Sequence, residues 1–347
     1  MKSPTMTDVA KRAGVSHATV SRIINGRPGV SPRAGEAVRQ AIAELQYLAP
    51  PSAQRPGRSV KPSSVTLHRH IALLTFDRSL TEHSAFVASI YEGARRAGAE
   101  RGITVSLLSL DDCTTVPDWI SRDNLDGLLL HGLRSRDHLT RTAAEIPSLW
   151  LTTNAEGADD AVLPGNEAVG EMAASYLHEH GHRRVAVLSV DLDNPSYEVR
   201  VDSFLKASRR LKLKATKLVP PAAERKQNRT PATLMDGLIA RLATMPKRER
   251  PTALFLPSDY MTALAHAACR RAGLEPGRDF DFVSCDNEKA YLEGLFPRPA
   301  TIDLGTEARG KLAFELLLSR IQDPARDRKA TLLLDPVLVD LGDNSGF

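Results

Sequence analysis

Residues 7–26 read Thr7-Asp8-Val9-Ala10-Lys11-Arg12-Ala13-Gly14-Val15-Ser16-His17-Ala18-Thr19-Val20-Ser21-Arg22-Ile23-Ile24-Asn25-Gly26, and their punctuation predicts two short helices joined by a turn. Thr7 is placed to cap a first helix over residues 8–13, which stops at Gly14, a residue suited to the left-handed turn after a helix. Ser16 caps a second helix from His17 to about Asn25, with Val20, Ile23 and Ile24 inward and Arg22 opposite. A third begins at Ser31 with Pro32 in the first helical position, where a missing N–H is no loss, and buries Val38, Ala41, Ile42 and Leu45. Two short helices followed by a support helix make a helix-turn-helix pattern.

Outward from this stretch the charge changes sign. Residues 1–62 hold ten basic and three acidic side chains, a net of +7, while the other 285 residues carry 36 against 39, a net of −3. The whole-chain value of +4 conceals a basic head suited to a polyanion. Laid in a DNA major groove, the second helix would present Arg22 for a bidentate pair with guanine, His17 for one hydrogen bond and Ala18 for an apolar contact. Thr5, Ser16, Thr19, Ser21, Asn25 and Ser31 are the short polar residues expected at phosphates, which fix register without reading sequence. The alternative, three packed helices that bind a protein, fits the charge less well.

From Ala49 to Ser64 the chain changes to Pro50, Pro51, Pro56, Gly57 and Pro62 with four serines and Arg55, Arg58 and Lys61, a linker that is semi-rigid where prolines concentrate. Beyond His70, short apolar runs such as Ile71-Ala72-Leu73-Leu74 and Val185-Ala186-Val187-Leu188 alternate with helical periodicity, as in residues 83–101, 197–210, 231–245 and 259–272. Asn166 is placed to cap one of these helices. Repeated strand-helix units over this length predict an α/β body of two lobes with parallel sheets, whose ligands bind at the carboxyl ends of strands.

Several function classes find no anchor. The longest apolar runs fall far short of the ~18 residues that span a bilayer, and Met1-Lys2-Ser3-Pro4 leads into a polar segment rather than a secretory signal. Cys113, Cys269 and Cys285 share no CxxC spacing, which argues against a disulfide framework and for a reducing cytoplasm. His178-Glu179-His180-Gly181-His182 is a literal H-E-x-x-H, yet Gly181 should end the helix before the two histidines share a face, so no metal site is expected. With no G-x-S-x-G, P-loop or dinucleotide fingerprint, no catalytic residue and no cofactor is assigned.

The run from Thr7 to Gly26, continued by Val30-Ser31-Pro32 and Ala43-Glu44-Leu45-Gln46-Tyr47, resembles the headpiece of the lactose-repressor (LacI/GalR) family of bacterial transcription regulators. Gly181-His182-Arg183-Arg184, Arg200-Val201-Asp202-Ser203-Phe204, Asp286-Asn287 and Pro297-Arg298-Pro299-Ala300-Thr301-Ile302 extend the resemblance through the body. It implies a helix-turn-helix domain over 1–48 and a linker over 49–69. It also implies a periplasmic-binding-protein-like body of two Rossmann-like lobes, the first about 70–164 and 300–329 and the second about 165–299 and 330–347, joined by three crossovers. It places an effector-contacting arginine at Arg200 and a cleft aspartate at Asp286. Thr152 and Ser258 stand at two further family positions, each altered, and Phe76, Phe86, Trp150, Tyr197 and Tyr260 are the aromatic candidates for a stacking face. The implied function is a repressor binding a palindromic DNA operator as a homodimer, under control of a small sugar-like effector, with no membrane association. Two readings stay beside it: a solute-binding receptor without regulatory role, and a hydrolase using the histidine cluster.

The linker departs from the family, whose members fold a short hinge helix there and wedge a leucine into the minor groove. Pro56 and Gly57 cost a helix roughly 3 and 1 kcal/mol, so at most one helical turn is predicted, with Pro56 as the wedge or Arg55, Arg58 and Lys61 as an extended basic arm. Footprinting is expected to show protection of the central operator step that disappears in Pro56→Ala if the first holds, or in Arg55→Ala/Arg58→Ala if the second does. Absence of central protection in the unaltered protein would rule out both.

Overall fold

The computed structural model describes residues 5–24, 31–45, 68–76, 85–110, 119–121, 123–132, 146–152, 160–191, 193–221, 224, 229–323 and 328–340. Residues 1–66 and 67–347 form two separate compact units. Asn25, Arg55, Pro56, Arg58 and the hinge lie outside the described residues.

The first unit holds helices α1 (Met6–Ala13), α2 (His17–Ile24) and α3 (Pro32–Glu44). The cap of α1 is Thr5, not Thr7. Capping is decided by what stands three residues on: Asp8 answers Thr5, its carboxylate accepting the Thr5 N–H at 2.8 Å, whereas Thr7 would face Ala10, which has no acceptor. Gly14 closes the helix in the left-handed region at φ 64°. Ser16 and Ser31 cap as the sequence predicts, accepting the N–H groups of Thr19 at 3.1 Å and Ala34 at 3.3 Å. Val9, Ala10, Val20, Val38 and Ala41 are buried together, with Ile23, Ile42 and Leu45 packed against them.

Among the described residues the second unit is built on two six-stranded sheets. The first contains β1 (His70–Phe76), β2 (Thr104–Leu110), β3 (Gly127–Gly132), β4 (Ser148–Trp150), β5 (Asp160–Pro164) and β11 (Thr331–Leu334), in the order β11-β5-β4-β3-β1-β2. The second contains β6 (Arg184–Leu188), β7 (Lys214–Leu218), β8 (Ala253–Phe255), β9 (Asp281–Cys285), β10 (Ala300–Asp303) and β12 (Val337–Val339), in the order β12-β10-β9-β8-β6-β7. All pairings are parallel except β12 on β10. Alternate residues feed opposite faces. In β1, Ile71 and Leu73 pack under α4 (Ala85–Ala99) and α10 (Thr306–Gln322), while Ala72, Leu74 and Phe76 join Leu128, Leu130 and Trp150 on the other side. In the second sheet, α5 (Asn166–Glu179) and α6 (Pro195–Arg210) cover Val185 and Val187, and α7 (Pro231–Thr244) and α8 (Asp259–Arg271) cover Ala186 and Leu188. Lys289–Leu292 forms a short α9.

Strand pairing moves two lobe boundaries. Residues 300–303 are β10, bound to β9, and so belong to the second lobe; residues 331–334 are β11, bound to β5, and belong to the first. The chain crosses between lobes after Pro164, Asp303 and Leu334. Asn166 does not cap α5; Gly165 stands at that position, and the Asn166 side chain is buried inside the first turn with another partner.

In each lobe one helix pair crosses at glycine. Gly93 of α4 lies on the Glu307 carbonyl of α10, and Gly310 of α10 lies on the Ile90 carbonyl of α4, with no room for a Cβ at either. Gly170 of α5 meets Ser203 and the Arg200 carbonyl of α6 in the same way. At Gly93 and Gly310 the obstructing atoms are backbone, so relief requires moving a helix. Gly310→Ala is therefore expected to destabilise by about 2 kcal/mol, overpacking outweighing the gain in helix propensity, measured as a lower urea midpoint at unchanged m-value.

Candidate functional site

The two sheets share a 2-1-3-4-5 strand order, and such sheets open a crevice beyond their carboxyl ends where the order reverses. A cavity of about 380 Å³ lies there, with walls from both lobes. Seven of the nine cleft candidates named from the sequence line it: Phe86, Thr152, Tyr197, Arg200, Ser258, Tyr260 and Asp286. Trp150 packs in the core of the first lobe instead, and so does Phe76. Phe76 is the last residue of β1 on the Ala72-Leu74 side, so the two-residue period turns it into the core, where it is 1% exposed and lies 6.1 Å from the Trp150 ring. The other lining residues include His131, Asp191, Asn194, Ser196, Glu288 and Arg309.

Arg200 organises the second-lobe wall. From α6 its Nε donates to Asn166 Oδ1 at 2.9 Å, and its Nη1 donates to the Pro257 carbonyl and to Asp286 Oδ1 at 3.0 Å, with the Tyr197 ring 5.6 Å from its Cζ. A buried cation needs such a set of acceptors. Asp286 holds its position through backbone: its N–H donates to the Ile302 carbonyl at 2.9 Å, and both it and Asn287 adopt positive φ, 109° and 56°. The Asn287 amide donates to Asp303 Oδ2 at 3.0 Å, which ties the turn to β10.

Beneath the cavity, Asp259 begins α8, next to the capping Ser258. It is fully buried and accepts from the hydroxyls of Ser284 and Thr301 and from the Glu288 N–H at 2.6 Å. Burial and the Asp286 charge push its carboxyl up to about 7 against the pull of those donors. Asp259 thus anchors the turns that carry Ser258 and Glu288.

On the first-lobe wall the Thr152 hydroxyl is engaged with Gly132, donating to its carbonyl at 2.9 Å and lying 3.2 Å from its N–H. Arg309, which sequence reading missed, projects from the first turn of α10 with its Cζ 4.6 Å from the centre of the Phe86 ring. His131, also missed, lies 5.7 Å from that ring. Burial and the Arg309 charge hold the imidazole neutral, pulling its pKa down to about 3. The motif spanning His178 and His182 is split by the end of α5 at Glu179. His182 turns to Thr252 Oγ1 at 2.9 Å and Asp281 at 3.1 Å.

In the first unit, His17 and Arg22 of α2 are exposed, and Arg22 makes no hydrogen bond or ion pair among the described residues. The Thr5 and Ser16 hydroxyls cap helices and Thr19 is half-buried, while Ser31 is exposed at its cap. Ala18 lies within α2.

A helix-turn-helix unit followed by a two-lobed, periplasmic-binding-protein-like body defines the class. Residues 5–49 match the bacterial regulatory proteins of the lacI family, residues 76–233 the periplasmic binding proteins and sugar binding domain of the LacI family, and residues 174–340 a periplasmic binding protein-like domain. The chain is 30% identical over 345 residues to the HTH-type transcriptional repressor PurR of Escherichia coli O139:H28, covering 97% of this chain and 95% of that one. It is 29% identical over 347 residues to PurR of Proteus mirabilis, covering 97% and 95%. It therefore belongs to the lacI family of bacterial regulatory proteins. The fold is shared with the transcriptional regulator CelR in its cellobiose complex (TM-score 0.66, 24% identity, 97% and 98% of the two chains). It is shared also with the lac repressor dimer bound to operator and the anti-inducer ONPF (TM-score 0.62, 22% identity, 98% of each).

A histidine held neutral by burial stabilises the fold above its unfolded pKa near 6.5, and that contribution is lost as pH falls toward about 3. Asp259, raised to about 7, acts in the opposite sense over much of that window, so the comparison of a variant with the unaltered protein isolates His131. Between pH 6.5 and pH 5, His131→Leu is expected to lose about 2 kcal/mol less unfolding free energy, at ~1.4 kcal/mol per pH unit. Equal losses in urea titrations at the two pH values would show that His131 protonates in the folded state.

Proposed function

We propose that the chain acts in the cytoplasm, without catalysis, as a homodimeric repressor. In this reading α2 reads a roughly palindromic operator, and a small hydroxyl-rich effector in the interlobe cleft modulates affinity. The observation that carries it is the cavity lined from both lobes, in a chain whose first unit folds separately around its own core. A ligand that bridges two lobes favours one lobe arrangement over another, and differential affinity of this kind shifts an equilibrium.

Within the head, Arg22 and His17 would contact base edges, with Ala18 against a thymine methyl. Thr5, Ser16, Thr19, Ser21, Asn25 and Ser31 would lie at phosphates, Ser16 contributing backbone rather than its engaged hydroxyl. At the minor groove, either Pro56 would act as a wedge or Arg55, Arg58 and Lys61 would follow it as an extended basic arm. One headpiece offers few base contacts at roughly 1–3 kcal/mol each, so useful discrimination needs two half-sites. In the cleft, Arg200 and Asp286 supply a donor and an acceptor, Tyr260 and Phe86 apolar surface, and Ser258 and Thr152 positioning of the adjoining turns. Phe76 has no contact role. Relatives that carry the name of transcriptional repressor, and neighbours solved with cellobiose or on an operator, support the reading. A solute-binding receptor would leave the head without a task.

Arg22→Ala is expected to reduce the preference for operator over random duplex by about 10–100-fold, the loss of one bidentate contact. Nonspecific binding should keep its steep salt dependence. Fluorescence anisotropy on both duplexes across a salt series measures each. Unchanged preference would remove α2 as the reading helix.

A further inference from the structure

Among the described residues two arginines line the cleft, and only one of them is satisfied. Arg200 has three acceptors, whereas Arg309 is 0% exposed and none of its Nε, Nη1 and Nη2 finds a hydrogen-bond partner among the described residues. The Phe86 ring lies against it and supports the cation but offers no lone pair to its N–H groups. Asp286, the carboxylate whose charge it feels, is already bonded to Arg200. Burial and the charge of Arg200 weaken its hold on its own proton, bringing it down to about 9. Its location removes a stabilising explanation as well, since a cation in the first turn of a helix opposes the helix dipole. A buried, unpaired guanidinium is a liability to the fold unless something else supplies the acceptor. His131 Nδ1, close by on β3, is likewise buried and without a partner.

The geometry points to Arg309 as the seat of an anionic group, so that the cleft takes a hydroxyl-rich carboxylate, an aldonic or uronic acid, rather than a neutral sugar. A carboxylate matches the planar fork of a guanidinium with two parallel hydrogen bonds. His131, in the tautomer with its proton on Nδ1, adds a neutral donor. Asp191 and Glu288 also line the cavity and oppose a dianion more strongly than a monoanion, which favours a carboxylate over a phosphate ester. The inference rests on the cleft being the effector site.

The test uses the full chain and Arg309→Met, with calorimetry and thermal unfolding in the presence of D-glucuronate, D-gluconate, D-glucose and glucose 6-phosphate. At least one of the two acids should bind, more tightly than glucose, and lose at least about tenfold in affinity in the variant, as expected for a charged hydrogen-bond pair. Without ligand, Arg309→Met should unfold at a higher temperature than the unaltered protein, because it removes the unpaired cation. A lower midpoint would make Arg309 part of the fold's own support and overturn the proposal whatever binds. Glucose binding tighter than either acid, or acids binding protein and variant alike, would overturn it too. Glucose 6-phosphate as the tightest ligand would overturn the choice of carboxylate. Binding of an acid with no change in operator affinity would keep the anion seat and remove the effector role of the cleft, which separates the two failures.

Discussion

The buried guanidinium of Arg200 is the constraint around which the second lobe's binding edge is arranged. It reaches from α6 to the first turn of α5, to the carbonyl before α8 and to the turn after β9, so segments far apart in sequence meet at one planar group. Such a charge is tolerated only when its donors find acceptors, and truncation of one partner in a buried pair of this kind typically costs about 3–5 kcal/mol. The left-handed turn at Asp286 and Asn287 follows from the same demand. It brings a carboxylate to Arg200 while the neighbouring amide is held by Asp303.

The first lobe meets the cleft by a different device. Phe86 and Arg309 stand on separate helices, and their separation is set where Gly93 and Gly310 let those helices touch through their backbones. Backbone contact makes that distance stiff. One wall is thus organised by hydrogen bonds around a charge and the other by steric contact beneath one, and a ligand spanning both would couple a polar network to a rigid helix pair.

Much of this was legible in the sequence where the determinants are local. Gly14, Ser16, Ser31 and Pro32 act on their own neighbours, and each behaves in the structure as read. Thr5 rather than Thr7 is the cap because a cap depends on its partner three residues later, a pairing visible in Asp8. The lobe boundaries differ from those expected of the sequence because β10 and β11 take their lobes from pairing with β9 and β5, which adjacency in the chain does not reveal. In the cleft, Arg200 and Asp286 were readable from motifs, while Phe76 was counted as a platform although the two-residue period placed it with Ala72 and Leu74. No sequence motif singles out Arg309. Its spacing held the missed signal, for residues 309, 313 and 317 fall on one helical face, and Ala313 and Leu317 are core.

The three crossings between lobes carry a consequence for the order in which the protein comes into being. The described core of the head is in place by Leu45, but neither sheet is complete until the last strands, β11 at 331–334 and β12 at 337–339, have been made. At synthesis rates of about 5–20 residues per second, the intervening stretch of roughly 300 residues takes on the order of 15–60 s. During that interval each nascent chain carries a finished helix-turn-helix tethered to a body that cannot yet close around a ligand, so the reader is born well before its control.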